Sequence, residues 1–449
     1  MGRFWCELAW IEGEFATANV LIDVAGDRIT ALTSAIDCPD DATRLSGLTL
    51  PGLANTHSHA FHRALRGRTQ VGSGSFWTWR DQVYAASSRL QPDTYFRLAR
   101  AVYGEMALAG ITSVGEFHYL HHDVGGKTYS NPNAMGAALA AAAAEAGIRI
   151  TLLDCCYLHG GVGAGGHTPL NAAQRRFSDR SVDAWAKRAE GADSLKSATC
   201  RLGAAVHSVR AVDAASIEKI AAWAAARALP LHAHVSEQQV ENEQCIAAYG
   251  LTPTALLDDH GAIGASFTAV HATHLAGADV GRLGRAECTV CLCPTTERDL
   301  ADGIGAALAL RNDGARLAVG SDSQAVIDLF VEARGIELHE RLATQVRGSH
   351  NAASLLTATC GNGQRALGWH EAGELAVGKL ADFITLRLDT VRTAGSPASS
   401  ALETAVFAGA AADVHHSVVA GQVVVSDGHH VRLAVARELH STITELMDT

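Results

Sequence analysis

Eight short segments rich in β-branched and apolar residues lie between Leu48 and Asp322, and helix-like stretches separate them. They are Leu48–His57, Ile111–His118, Ile148–Leu158, Arg201–Val209, Pro230–Val235, Ser266–His274, Glu287–Pro294 and Arg316–Asp322. Ala-rich amphipathic segments such as Asp93–Ala109, Ala134–Ala146, Ala214–Ala228 and Pro253–His260 fall between them. Parallel strands need a crossover long enough to hold a helix, so this alternation implies βαβ units. Eight such units fit a closed (β/α)8 TIM barrel, an α/β fold, better than an open sheet. A barrel needs a large apolar core. Of the 449 residues 48% are hydrophobic and 18% charged, which supplies that core and excludes a disordered chain.

The two ends read differently. Phe4–Leu32, Gly373–Leu386 and Val414–Gly428 are short strands punctuated by turn signals. Neither end has enough strands to bury a sheet alone. The expectation is therefore one small β-sandwich built from both termini, with residues 1–48 and 366–449 flanking a barrel over 49–365. Ala434–Met447 reads as a closing amphipathic helix.

Thirty-six Lys and Arg against 47 Asp and Glu give a net charge of −11. That sign disfavours nucleic acid and anionic membrane as partners and leaves a small molecule. Met1–Trp10 has no apolar stretch of the signal-peptide kind, so a cytoplasmic protein is expected. The ten cysteines are scattered and read as buried free thiols. In the one cluster, Cys288, Cys291 and Cys293, strand periodicity splits the sulfurs between two faces, which argues against a zinc knot.

The 22 histidines are numerous, and position separates them. His415, His416, His429 and His430 read as solvated turn residues, and His121 and His122 as loop residues. His57 and His59 form His-x-His at the end of the first strand, where residues i and i+2 share a face. His234 ends the fifth strand, His271 lies late in the sixth, and Asp322 ends the eighth. Strand carboxyl ends are where such barrels place their chemistry. His57, His59, His234 and Asp322 are the candidate metal ligands, a donor set suited to Zn²⁺ with Fe²⁺ as the alternative. Zinc makes water a nucleophile near neutral pH. Asp322 is placed to take the water proton, Glu237 in His-x-x-Glu to exchange a proton with a substrate nitrogen, and His271 to assist. Around this rim, Arg80 in an aromatic loop (Phe76–Tyr84) and Arg210 after the fourth strand suit two carboxylates, and Tyr119 a further hydrogen bond.

These features resemble the amidohydrolase superfamily. The likeness rests on Pro51–His59 (PGLANTHSH), His234, His271, Gly320–Asp322 (GSD) and Leu375–Phe383 (LAVGKLADF). It implies the same barrel and terminal sandwich, the metal ligands named above, and a homodimer. Binuclear members resemble one another in a bridging lysine on the fourth strand. Arg201–Arg210 (RLGAAVHSVR) holds none, which implies one metal per subunit. More finely, Ala54–Gly67, Gly115–His122, Val206–Arg210, His234–Gln238 and Gly320–Ser323 are similar to the formimidoylglutamate deiminase branch. That implies deimination of a dianionic substrate of histidine breakdown, bound by Arg80, Tyr119, His207, Arg210 and Ser323. His62 stands where that branch often carries glutamine. The alternative is a mononuclear zinc deaminase of a purine-, pterin- or triazine-like ring, for which Trp77 and Trp79 offer stacking.

Overall fold

The computed structural model describes residues 2–71 and 73–447. Two eight-stranded sheets organise the chain. The first begins with β1 (Gly2–Ala9), β2 (Thr17–Ala25), β3 (Arg28–Thr33) and β4 (Thr43–Pro51). The barrel follows. Its strands are β5 (Leu53–Ser58), β6 (Ile111–His118) and β7 (Arg149–Cys156), then β10 (Cys200–Val206), β11 (Leu231–Val235), β12 (Phe267–His271), β13 (Thr289–Leu292) and β14 (Arg316–Val319). Between the third and fourth barrel strands a small hairpin forms from β8 (Gly161–Gly163) and β9 (Gly166–Thr168). The chain then returns to the first sheet with β15 (Phe383–Leu386), β16 (Val414–Val419), β17 (Gln422–Ser426) and β18 (His429–His430).

The expected strands are thus all present, as are helices over Pro92–Leu108, Ala134–Ala146, Ala214–Ala226, Pro253–Asp259 and Val435–Met447. Neighbouring barrel strands pair in parallel in sequence order. The first expected strand is divided. Leu48–Pro51 pairs with β15 in the terminal sheet, and the barrel strand starts only at Leu53. Residues from both ends form that terminal sheet, in the order β18-β17-β16-β15-β4-β1-β2-β3. It has its own buried cluster, in which Phe4 meets Phe383 edge-on at 5.1 Å. The buried Arg149–Asp382 pair (2.6 Å) ties it to the barrel.

The barrel closes between β14 and β5. Asp322 donates its N–H to the His57 carbonyl (3.0 Å), and His59 donates its own to the Asp322 carbonyl (3.3 Å). Side chains stitch the same seam: Asn55 Nδ2 donates to Ser321 Oγ (2.7 Å), and Gln324 Nε2 to Ser58 Oγ (2.9 Å). Close approach here requires Gly320. A Cβ at that position would lie 2.8 Å from both the Cβ and the carbonyl oxygen of His57.

Three expectations, two about exposure and one about element type, are corrected. His415, His416, His429 and His430 lie in β16 and β18, and His416 and His430 are buried, because the terminal sheet packs on the barrel helices. His430 Nε2 sits 3.0 Å from the Ala146 carbonyl. His121 and His122 are likewise buried, with His122 Nε2 2.9 Å from Asp179 in a network completed by Arg188 and Asp154. Phe76–Tyr84 is no loop. It belongs to helix α1 (Phe76–Ser88), which starts where the Ser75 N–H donates to Thr78 Oγ1 (2.8 Å). The ten cysteines are free, nine of them buried.

Candidate metal centre and active-site cavity

The barrel seam is also where the candidate ligands meet. Ligand atoms of His57, His59, His234 and Asp322 all lie within 4.8 Å of one another, and all four residues are buried. His57 Nε2 is 3.2 Å and His59 Nε2 3.5 Å from Asp322 Oδ1, and His234 Nε2 is 3.2 Å from His57 Nε2. A tetrahedral ion with bonds of about 2.0–2.2 Å spaces its ligands roughly 3.3–3.6 Å apart. The spacing of these atoms would suit such an ion, and their partners fix the rings. His59 Nδ1 faces the Phe117 carbonyl (3.1 Å) and His234 Nδ1 the His207 carbonyl (2.8 Å). A carbonyl only accepts, so each Nδ1 carries the hydrogen and each Nε2 presents a lone pair. Two imidazole lone pairs and a carboxylate oxygen converging in a buried space form a donor set that a cation could bridge.

Burial enforces the neutral imidazole. It pushes His57 and His234 well below the ordinary histidine range, and His59 down to about 3. Burial also raises the Asp322 carboxyl to about 7, with Glu237 and Glu297 adding to the rise and His271 opposing it. His271 behaves oppositely. Burial disfavours its charge, but Glu237, Asp322 and Glu297 outweigh that and hold it protonated up to about 10. Its Nε2 is 3.7 Å from Glu237 and 3.9 Å from Asp322, and its Nδ1 3.6 Å from Glu297. The backbone is left-handed at Ser236 (φ 50°), His271 (φ 68°) and Asp322 (φ 41°). These three strained positions follow or end the strands that carry the candidate residues.

A cavity of about 290 Å³ opens beside the cluster. His59, His234 and Asp322 form part of its wall, with His62, Arg80, Tyr119, His207, Arg210 and Glu237. The structure therefore gathers nearly all the residues singled out in the sequence. Of the expected substrate contacts only Ser323 is absent from the wall, its hydroxyl lying 2.9 Å from Thr296 Oγ1, while His57 and His271 reach the cluster without lining the cavity. Tyr119 O–H lies 3.1 Å from His62 Nε2.

The two arginines differ. Arg210 is buried, with Nη2 2.8 Å from Glu237 and Nε 3.5 Å from Glu241, so its charge is shared with two carboxylates. Arg80, on α1, stacks over Trp77 (4.4 Å) and reaches the Tyr84 ring (5.6 Å), and its Nε is buried without a hydrogen-bond partner. Tyr84, Tyr157, Phe177 and Gln244 also line the cavity. The sequence reading missed them because they come from helix α1, a strand end and two remote segments, with no spacing that links them. Glu297 escaped it for the same reason.

Comparison with known proteins agrees with this geometry. The Amidohydrolase family model matches residues 48–424. The chain belongs to the amidohydrolase family. It is a hydrolase acting on carbon–nitrogen bonds. The formimidoylglutamate deiminase of Pseudomonas aeruginosa is 36% identical over 442 residues, 96% of each chain. The 8-oxoguanine deaminase of the same organism is 29% identical, covering 86% of this chain and 87% of that one. An amidohydrolase crystal structure from Brucella melitensis superposes with a TM-score of 0.91 at 32% identity, over the whole of both chains. No helix among the described residues is long and apolar enough to cross a membrane.

Proposed function

We propose that this amidohydrolase hydrolyses N-formimidoyl-L-glutamate to N-formyl-L-glutamate and ammonia, a step of histidine breakdown. The observation that carries the reading is Arg80, a cavity cation with no carboxylate partner among the described residues. A dianionic substrate supplies that partner; a neutral heterocycle leaves the charge uncompensated. The likeness to the Pseudomonas aeruginosa deiminase supports the same substrate.

His57, His59, His234 and Asp322 would hold one zinc ion, whose Lewis acidity polarises the reacting carbon and makes water nucleophilic near neutral pH. Water adds across the formimidoyl C=N, and the C–N bond to the terminal nitrogen then breaks. Asp322, with a proton affinity near neutrality, takes a water proton and passes it to the departing nitrogen. Glu237, on the same wall, delivers its proton to the imino nitrogen and recovers the hydroxyl proton as the carbonyl forms, so the nitrogen, with one proton from Glu237 and one from Asp322, leaves as ammonia. His271 carries positive charge between Glu237 and Asp322 and keeps both carboxylates close. Arg80 holds a substrate carboxylate, while Tyr119, His62 and His207 complete the recognition wall. The reading includes a cytoplasmic homodimer, checked by fractionation and by sedimentation.

Ammonia release by the zinc-loaded protein is the test, with N-formimidoyl-L-glutamate, guanine and adenosine compared side by side. Turnover of the glutamate compound alone is expected. Ammonia from a ring compound and none from the glutamate compound overturns the substrate while leaving the amidohydrolase chemistry in place.

A further inference from the structure

A buried glutamine outside the cavity wall controls two of its hydroxyls. Gln174 Nε2 lies 3.0 Å from Tyr157 Oη, 3.2 Å from Tyr84 Oη and 3.1 Å from the Gly160 carbonyl. Its amide cannot be turned around. Oε1 accepts the Asn171 N–H (2.9 Å), and the Gly160 carbonyl accepts only. Gln174 Nε2 shares two hydrogens among these three acceptors and accepts none, so neither phenol can donate to it and their own hydrogens must go elsewhere. The two hydroxyls are also within reach of each other, so one can donate to the other. Both hydrogens cannot lie between the same two oxygens. At least one phenolic O–H is left facing the cavity that both tyrosines line.

These donors stand apart from the metal cluster. The His234 and His207 rings are 5.1 Å apart, and Tyr157 lies a further 4.5 Å beyond His207. Arg80 sits beside them, 5.6 Å from the Tyr84 ring.

We infer that the Tyr84 and Tyr157 hydroxyls, aimed by Gln174, form with Arg80 a subsite for the substrate carboxylate remote from the reacting carbon. The inference rests on the proposed dianionic substrate and adds how its second charge is recognised. Gln174 is a positioning residue, and its carboxamide decides that the phenols donate into the cavity.

The test compares N-formimidoyl-L-glutamate with N-formimidoyl-L-norvaline, which lacks the remote carboxylate. Tyr84→Phe/Tyr157→Phe is expected to raise KM for the glutamate compound about tenfold or more, with kcat and the norvaline KM unchanged. Gln174→Glu keeps the side-chain shape but accepts the phenolic hydrogens, so it produces the same selective rise. Gln174→Glu or the tyrosine pair weakening both substrates alike, or neither, overturns the subsite. Calorimetry with glutarate separates the two levels. Tyrosine-dependent glutarate binding without turnover of formimidoylglutamate keeps the subsite and removes the substrate reading. Normal turnover with indifferent variants removes the subsite alone.

Discussion

Two walls of one cavity are built on different principles. The strand wall carries His59, His234 and Asp322, which cluster with His57, and its backbone is pinned by the hydrogen bonds that close the barrel. His57 is wholly buried (0% exposed). The opposite wall comes from α1, a peripheral helix, and Trp77 beside Arg80 is 36% exposed. The chemistry stands on the part of the fold that cannot move without opening the barrel. Recognition stands on an element that can be altered without touching the closure. A reacting centre needs positions held within a fraction of an ångström, whereas a carboxylate clamp tolerates more freedom.

The contrast predicts a descending series of effects. Largest, His234→Ala should lower kcat by about a thousandfold or more, with loss of bound zinc measured by elemental analysis, because Lewis-acid stabilisation is worth several kcal/mol. Retention of both metal and activity would break the comparison at its root. Next, Glu237→Gln should lower kcat about 10²–10⁴-fold with the metal kept, the range for a lost proton-transfer group. It also leaves Arg210 facing a neutral amide, so a pH–rate profile of the variant distinguishes proton transfer from a charge effect.

On the helix wall, Arg80→Met should raise KM for a dianionic substrate about 10–100-fold and change kcat little, since a charge-assisted hydrogen bond is worth about 1.5–3 kcal/mol. An equal fall in kcat would show that this wall also positions the reacting carbon. At the seam, Gly320→Ala forces β14 away from His57 and should cost about 1–3 kcal/mol, read as a lower Tm together with weaker zinc retention.

Acid gives the most general effect. Folded His59 and His121 have pKa values held down, chiefly by burial, to about 3 and about 4. The unfolded chain takes up these protons near pH 6.5 and the folded chain does not. Stability of the metal-free protein should therefore fall as pH drops from about 6.5 toward 3, followed by denaturant titration. A flat profile would show that these rings are not desolvated.

Much of the fold was legible because periodicity is local. A parallel barrel buries both faces of each strand, so its strands read as apolar runs, and Ala134–Ala146 stood out as a helix at its observed bounds. The metal cluster was legible for a related reason. Strand ends converge on one rim, so a histidine at a strand end already has its location. Helix α1 read as a loop because its exposed face and cluster of three aromatics hide helical periodicity. His416, His430, His121 and His122 read as surface because polarity says nothing about what packs over a residue.

By itself, then, the sequence determined the alternation of strands and helices, the barrel that follows from it, and the donor set His57, His59, His234 and Asp322. Each rests on residues close along the chain or on a rule about strand ends. Only the tertiary structure decided which cations stay unpaired. Arg80 and Arg210 look alike in sequence, yet Arg210 meets Glu237 and Glu241 from a different segment while Arg80 meets aromatic rings. It alone also set the direction of the Tyr84 and Tyr157 hydroxyls, because Gln174 reaches them from 90 and 17 residues away. Hydrogen-bond direction and charge pairing depend on which side chains meet in space, and local spacing carries no record of that.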